Sequence, residues 1–260
     1  MYPNYFEEEK NKTIHTKYQE WDEYFKDRPI RIAVCIPTYD FKVHIPTMRA
    51  LMTMWKPEHY LLDKLGPTID VNRNVLVEKA LSDPDTTHIL FVDSDTVLPY
   101  DMIARFLKFM EMDHIDMMSG IYYQKSMPFR TTQFMEFDEV QFTRIRVADY
   151  PEGSLVKIES AGAGALLIKR EVFDKIEPPY YRFIMSESGV KYLGEDIYFF
   201  RKTEEAGLNL YVDTSIICQH INGTHMFPLM FEQGFLEIGE ASKKLGENKD
   251  KESVIQWLGL

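Results

Sequence analysis

The sequence predicts an α/β protein: a three-layer α/β/α sandwich built on a mixed, mainly parallel central sheet. Three observations point there. Short apolar runs at 30–36 and 88–92 alternate with stretches of helical periodicity, the pattern of strands joined by crossover helices. The second run, His88-Ile89-Leu90-Phe91-Val92, leads straight into Asp93-Ser94-Asp95 with Pro99 beyond, as a buried parallel strand does when its carboxyl end brings polar groups to the rim of a sheet. Residues 140–147 alternate apolar and polar, which marks an antiparallel excursion in the second half.

Whole-chain quantities narrow the function classes. With 260 residues the chain buries a substantial core without covalent staples. Cys35 and Cys218 both fall inside apolar runs, so free buried thiols and a reducing compartment are expected. Acids number 41 against 30 Lys and Arg, a net charge of −11, which argues against a nucleic-acid partner. An anionic ligand would need local neutralisation by a cation and a few placed basic residues. The first residues carry neither a basic region nor an apolar segment of signal-peptide type, and no later run is long enough to span a bilayer. A soluble, cytoplasmic protein without a transmembrane segment is expected.

In chain order, 1–29 reads as a helical extension: Tyr18, Trp21 and Phe25 share one helical face and Pro29 ends it. The first core strand, 30–36, ends at a Pro37-Thr38-Tyr39-Asp40 turn. A helix at 44–55, closed by Pro57, and a short strand at 60–65 follow. A helix over 69–81 places Val71, Leu76 or Val75, and Ala80 on one stripe, with Asp70 as N-cap. Arg73 then lies in the first turn, where the helix dipole disfavours a cation, so a second partner is a reasonable explanation beside plain surface exposure.

After 88–92, helix 101–111 precedes a strand at 116–120. Small residues Ser160-Ala161-Gly162-Ala163-Gly164-Ala165 open a further strand, and 171–176 forms a helical turn or two. Such small residues fit either a tight bend or close approach of backbone to a ligand. Gly194-Glu195-Asp196 starts a helix running through Ala206, with Ile197, Phe199 and Phe200 inward. Strands at 208–212 and 216–218 come next, with His220 just past the second. The central domain spans 30–225 and the tail, 226–260, has a partly amphipathic helical pattern.

Asp93 and Asp95 are the chemical centre of this reading. Two carboxylates one residue apart at a sheet rim repel, and a hard divalent cation is their natural partner. Asp83-Pro84-Asp85 repeats the spacing but lacks a preceding strand, and reads as a turn.

Four segments in order, Ile32-Ala33-Val34-Cys35-Ile36-Pro37-Thr38-Tyr39-Asp40, Phe91-Val92-Asp93-Ser94-Asp95, Gly162-Ala163-Gly164-Ala165-Leu166-Leu167-Ile168 and Gly194-Glu195-Asp196 with a late His220, resemble the GT-A fold glycosyltransferases, especially those similar to family 2. The resemblance covers 30–225. It implies a GT-A, Rossmann-like sheet and a metal-dependent transfer of sugar from a nucleotide-diphospho-sugar to an acceptor hydroxyl on a sugar, glycan, lipid or protein. Pro37, Thr38, Tyr39 and Asp40 match the nucleotide-holding segment, with Asp40 where many members have Asn. Arg73 matches the basic position near the nucleotide. Asp93 and Asp95, with Ser94 between them, match the Asp-x-Asp pair that meets ribose and metal, and Gly164 matches a small position of the donor site. His220 resembles the late histidine that completes the metal shell in some members. Asp196 matches the base of inverting members, with Glu195 beside it to hold base or acceptor; sequence does not fix which face of the sugar the acceptor approaches. Oxygen ligands suit Mg²⁺ or Mn²⁺, and a histidine ligand favours Mn²⁺.

Phe91-Val92-Asp93-Ser94-Asp95-Thr96 also resembles the first motif of haloacid-dehalogenase-type phosphohydrolases, in which Asp93 would be a nucleophile. That motif belongs on a first strand, whereas βα units precede it here. A third reading is a nucleotide-sugar-binding protein without turnover.

Overall fold

A computed structural model describes residues 12–125, 131–138, 143–146, 153–185, 191–222 and 225–227. The sheet at its centre has seven strands in the order β2-β1-β3-β9-β5-β12-β8. These are β1 (Arg31–Thr38), β2 (Glu58–Leu65), β3 (His88–Val92), β5 (Met117–Ile121), β8 (Leu155–Ile158), β9 (Ala165–Lys169) and β12 (Leu210–Ile217), with the two-residue β4 (Thr96–Val97) between β3 and β5 in sequence and the short antiparallel pair β10 (Ile184–Met185) and β11 (Lys191–Leu193) between β9 and β12. β2, β1 and β3 are mutually parallel. β9 lies antiparallel between β3 and β5, β12 is parallel to β5, and β8 closes the far edge antiparallel. Five of the seven therefore run one way, the mixed, mainly parallel sheet that the sequence predicts.

Alternation along each central strand splits the core into two layers, since successive side chains point to opposite faces. Ala33, Cys35, Ile89, Phe91, Leu166 and Ile168 face one layer, where they meet Leu76, Val77 and Ala80 of α3 (Ile69–Leu81) and Phe199 and Phe200 of α5 (Glu195–Glu205). Ile32, Val34, Leu90, Val92 and Leu167 face the other, against α1 (Ile14–Phe25), α2 (Ile45–Thr53) and α4 (Met102–Met110). Both faces are covered, which is why 88–92 reads as a continuous apolar run. Cys35 and Cys218 are free and buried, and burial pushes the Cys35 thiol up to about 12. Among the described residues no helix is long and apolar enough to cross a membrane.

Several local expectations change. β1 does not turn at Pro37 but continues to Thr38, because β2 supplies partners as far as Leu65. Asp70 is not the N-cap of α3: Thr68 holds that position without a side-chain bond, and Asp70 sits in the first turn, accepting from the Phe183 backbone N–H at 3.5 Å. Val71 is exposed, and the buried stripe of α3 runs instead through Asn72, Arg73, Leu76, Val77 and Ala80. The stretch after β9 forms a single 3₁₀ turn, Arg170–Val172. The two strands expected at 208–218 are one, β12, with a register irregularity after Asp213. The gap expected between them is the polar Asp213-Thr214-Ser215. In the fold the buried Asp213 pairs with Arg105 at 2.8 Å, while the Thr214 hydroxyl and backbone N–H bond to Ser154, so the strand runs through. The antiparallel excursion is present as β6 (Phe134–Asp138) paired with β7 (Thr143–Arg146), and the rest of 140–150 lies outside the described residues, as does the tail beyond 227. Asp83-Pro84-Asp85 is a turn, with Asp83 Oδ1 accepting from the Asp85 N–H at 3.0 Å.

One stability prediction arises here. His88 opens β3 opposite Lys169, and burial, then the Lys169 charge, push its pKa down to about 4. The unfolded ring titrates near 6.5, so between those values the unfolded chain binds more protons, and stability present above pH 6.5 is lost as the pH falls toward 4. Allowing for the partly exposed ring, urea unfolding at pH 4.5 and 7 should show wild type losing about 2 kcal/mol more than His88→Gln. Equal losses in the two proteins would show that His88 is not the group responsible.

Candidate functional site

Strand direction decides what meets at the site. Because β1, β3, β5 and β12 run the same way, the segments that follow them emerge at one edge of the sheet, and antiparallel β9 begins at that edge. Tyr39 and Asp40 follow β1, Asp93 to Asp95 follow β3, Tyr122 to Lys125 follow β5, and Gly164 precedes β9. β13 (Gln219–Asn222), reached from β12, pairs with β4 and sets His220 opposite Thr96. His220 thus lies inside a short strand beside the acidic loop.

Asp93 is fixed from several sides. Its backbone N–H donates to Gly164 O at 3.1 Å, and its carbonyl accepts from Thr96 N–H at 3.0 Å. Its Oδ1 accepts from Arg73 Nη2 at 2.9 Å. Gly164 is glycine for a steric reason: a Cβ there would come within 2.7 Å of Asp93 Oδ2 and 3.1 Å of Thr96 Oγ1, the latter a buried hydroxyl with no hydrogen-bond partner. Gly162 is held to the same standard by Tyr122, whose hydroxyl a Cβ would meet at 2.1 Å. That hydroxyl accepts from the Gly164 N–H at 2.9 Å, and burial, then the nearby Asp93 charge, raise the phenol's pKa and keep it protonated.

Arg73 stands behind Asp93, away from open solvent. Only 3% of it is exposed; its Nη1 donates to Ala163 O at 3.2 Å, Nε lies 3.7 Å from Glu195 Oε1, and its guanidinium sits over the rings of Phe91 and Tyr181. Burial alone would disfavour its charge, but Asp93 and then Glu195 outweigh that and hold its pKa above the ordinary value. The unfavourable first-turn position is explained by these partners. Its neighbours staple too: Asn72 Nδ2 donates to Thr38 O at 3.0 Å, and Asn74 Oδ1 accepts from the backbone N–H groups of Tyr180 and Tyr181. Three consecutive residues of α3 thereby fix the end of β1, the acidic loop and the 180–181 segment.

Asp95 has two cationic or potentially cationic neighbours. Its Oδ1 lies 3.4 Å from His220 Nε2, and its Oδ2 forms an ion pair with Lys125 Nζ. His220 Nδ1 is 2.8 Å from Tyr123 O. A carbonyl oxygen only accepts, so Nδ1 carries the hydrogen, and in the neutral ring Nε2 turns a lone pair toward a carboxylate oxygen. Such an arrangement calls for a cation or a proton between the two. Burial would raise the Asp95 pKa, but His220 and then Lys125 overcome it and hold the carboxyl at about 2. Among the described residues no cluster of three or more His, Cys, Asp and Glu side chains forms a ready metal cage. Asp95 and His220 fit a divalent ion as two donors of mixed O and N character.

Glu195 and Asp196 open α5 behind Gly194. Glu195 is buried beside Arg73, while Asp196 Oδ1 accepts from the Ile197 N–H at 2.8 Å. Their charges reach the buried phenols of Tyr122 and Tyr181: Asp196 acts on both and Glu195 on Tyr181. Tyr39 is exposed at the mouth, its phenol raised by partial burial, then by Glu195. Asp40 is exposed and paired with Lys42 at 2.8 Å. The Ser94 carbonyl accepts from the His44 N–H at 2.9 Å, which ties the start of α2 to the acidic loop. Pro37 and Thr38 end β1, with Thr38 buried. Sequence reasoning placed Tyr122 only in a candidate acceptor loop, 122–130, did not single out Thr96, and gave Lys125 no role beyond that loop. The first and last follow a strand parallel to β3, a signal available only once the sheet order is known.

No family model matches the chain, and no curated protein matches it in sequence. Solved structures do. A197 from STIV aligns over 74% of this chain and 86% of its own, at 23% identity and a TM-score of 0.55. GalNAc-T7, determined with UDP, GalNAc and Mn²⁺, aligns over 75% of this chain at 11% identity and a TM-score of 0.54; the match spans 44% of the GalNAc-T7 chain. With the seven-stranded sheet and its helical layers, these likenesses define the fold class as GT-A-like. Both particular neighbours share that architecture at identities that speak for fold alone.

Proposed function

We propose that the chain is a glycosyltransferase that takes its sugar from a nucleotide-diphospho-sugar. The observation that carries the reading is the meeting of Asp93, Asp95, His220 and the close-packed Gly164 backbone at one edge of a GT-A-like sheet. GalNAc-T7, which shares the fold, was determined with UDP, GalNAc and Mn²⁺, and this supports a nucleotide-sugar donor and a divalent ion.

In this reading Asp95 and His220 would hold the ion, Mn²⁺ or Mg²⁺, and Asp93, oriented by Arg73, would serve ribose and metal. When bound, the ion supplies Lewis-acid stabilisation of the charge that grows on the departing diphosphate. Pro37, Thr38, Tyr39, Asp40 and Ser94 would serve the nucleotide side, and Arg73 would contribute through Asp93. Asp196 takes the acceptor hydroxyl proton while the acceptor oxygen bonds to the anomeric carbon and the carbon–oxygen bond to the diphosphate breaks, its electron pair leaving with the nucleoside diphosphate. Attack from the face opposite the leaving group inverts the anomeric centre. Glu195, beside Arg73, holds the start of α5 and so positions Asp196. Acceptor contacts fall to 122–130 and 178–192, of which 126–130 and 186–190 lie outside the described residues.

Thermal unfolding with UDP, GDP, CDP or dTDP, each with Mn²⁺, Mg²⁺ or EDTA, tests this directly. A nucleoside diphosphate at 100 times its Kd adds about 2.7 kcal/mol, roughly 5–10 °C in Tm for a domain of this size. One of the four should give such a shift with a divalent ion and a much smaller one in EDTA. Absence of any metal-dependent shift, or phosphatase activity on a generic phosphate ester that disappears in Asp93→Asn, would overturn the transferase reading.

A further inference from the structure

The contact between Lys125 and Asp95 joins a fixed positive charge to the carboxylate that the transferase reading gives to a divalent ion. It is held in place by the fold. β13 grips the segment after β5 at two points: His220 Nδ1 donates to Tyr123 O, and Asn222 Nδ2 donates to Lys125 O, both at 2.8 Å. The strand that brings the imidazole to Asp95 Oδ1 therefore also delivers the ammonium to Oδ2. The Asp95 side chain is only 19% exposed, whereas that of Lys125 is 40% exposed on a flexible stem. The carboxylate is the more enclosed partner, and the ammonium has solvent on one side into which it can turn.

We infer that Lys125 is a resident counter-ion of Asp95 that a divalent ion must displace, and that the displaced ammonium then binds the diphosphate of the donor. The inference rests on the transferase reading for the identity of the incoming ion and anion. Its physical basis is charge balance. A partly buried carboxylate without a cation is costly, so Lys125 neutralises Asp95 while no metal is bound. An ion held between Oδ1 and His220 draws off the carboxylate's charge and repels the ammonium on Oδ2 across the same group, so metal entry loosens Lys125. A nucleoside diphosphate arriving with the metal offers anionic oxygens close by, and an ammonium binds these as a point charge. Lys125 would weaken metal binding to the free protein and strengthen nucleotide binding to the metal-loaded one.

Binding measurements on the full chain separate this from a surface ion pair. Free Mn²⁺ read by electron paramagnetic resonance, with calorimetry as a second method, should show Lys125→Met binding Mn²⁺ about three- to tenfold more tightly than wild type. Lys125→Arg, which keeps the charge, should stay near wild type. With Mn²⁺ saturating, the affinity of Lys125→Met for UDP, or for whichever diphosphate gives the largest thermal shift, should fall by about three- to tenfold. Mn²⁺ binding that is abolished by Asp95→Asn but equal in wild type and Lys125→Met would overturn the inference and leave the metal site standing. Unchanged diphosphate affinity would overturn its second half. If neither protein binds Mn²⁺, both the inference and the metal-dependent reading fall.

Discussion

Asp95→Asn should lower sugar transfer by about 10³-fold or more while the protein remains folded. Lewis-acid stabilisation of a leaving diphosphate is worth several kcal/mol, and about 4 kcal/mol of lost transition-state stabilisation corresponds to three powers of ten. Asparagine keeps the shape of the side chain and its place between His220 and Lys125, but not the charge that recruits a divalent ion. The same variant should lose the metal-dependent part of the nucleotide thermal shift, and this links the rate to the ion. Asp196→Asn gives the contrast. It should lose about 10²–10⁴-fold in kcat, as for removal of a general base, while nucleotide and metal binding stay intact. A rate for Asp95→Asn within threefold of wild type would remove the ion from the mechanism, whatever the fold.

What could be read in the sequence follows from how locally each feature is encoded. β3 is encoded in four consecutive apolar residues, Ile89 to Val92, and its acids follow directly, so strand and candidate site were legible together. α5 likewise shows its buried Ile197, Phe199 and Phe200 and its acidic first turn in the chain itself. β12 was not legible as one strand, because the polar Asp213-Thr214-Ser215 reads as a gap until Arg105 and Ser154, distant in sequence, supply partners. Lys125 was missed for a related reason. Nothing beside it marks a site, and it reaches Asp95 only because β9 inserts between β3 and β5, leaving those two parallel. Arg73 is intermediate. A cation in the first turn of a helix was visible as an anomaly, but its partners, and its burial behind Asp93, needed the fold.

Arg73→Met should destabilise the protein by about 3–5 kcal/mol, a fall in Tm of roughly 10 °C or more. Methionine fills much of the volume between Phe91 and Tyr181, so packing changes little; the loss is electrostatic. Arg73 answers Asp93 Oδ1, the Ala163 carbonyl and Glu195 from one rigid guanidinium, and the Asp93 and Glu195 side chains are only 28% and 10% exposed. Without it two carboxylates face each other across a poorly hydrated space, and a carbonyl loses its donor. Arg73→Lys keeps the charge but not the fork, and should lie between the two, since one ammonium cannot reach three acceptors in the same geometry. The double variant Arg73→Met/Asp93→Asn should be more stable than the sum of its parts predicts, because removing the stranded charge relieves much of what the first substitution exposes. Activity should follow a different order. Arg73 orients Asp93 from behind, so the double variant should regain stability without regaining transfer; recovery of both would mean that the charge on Asp93 has no part in donor binding and that this buried cluster serves the fold alone.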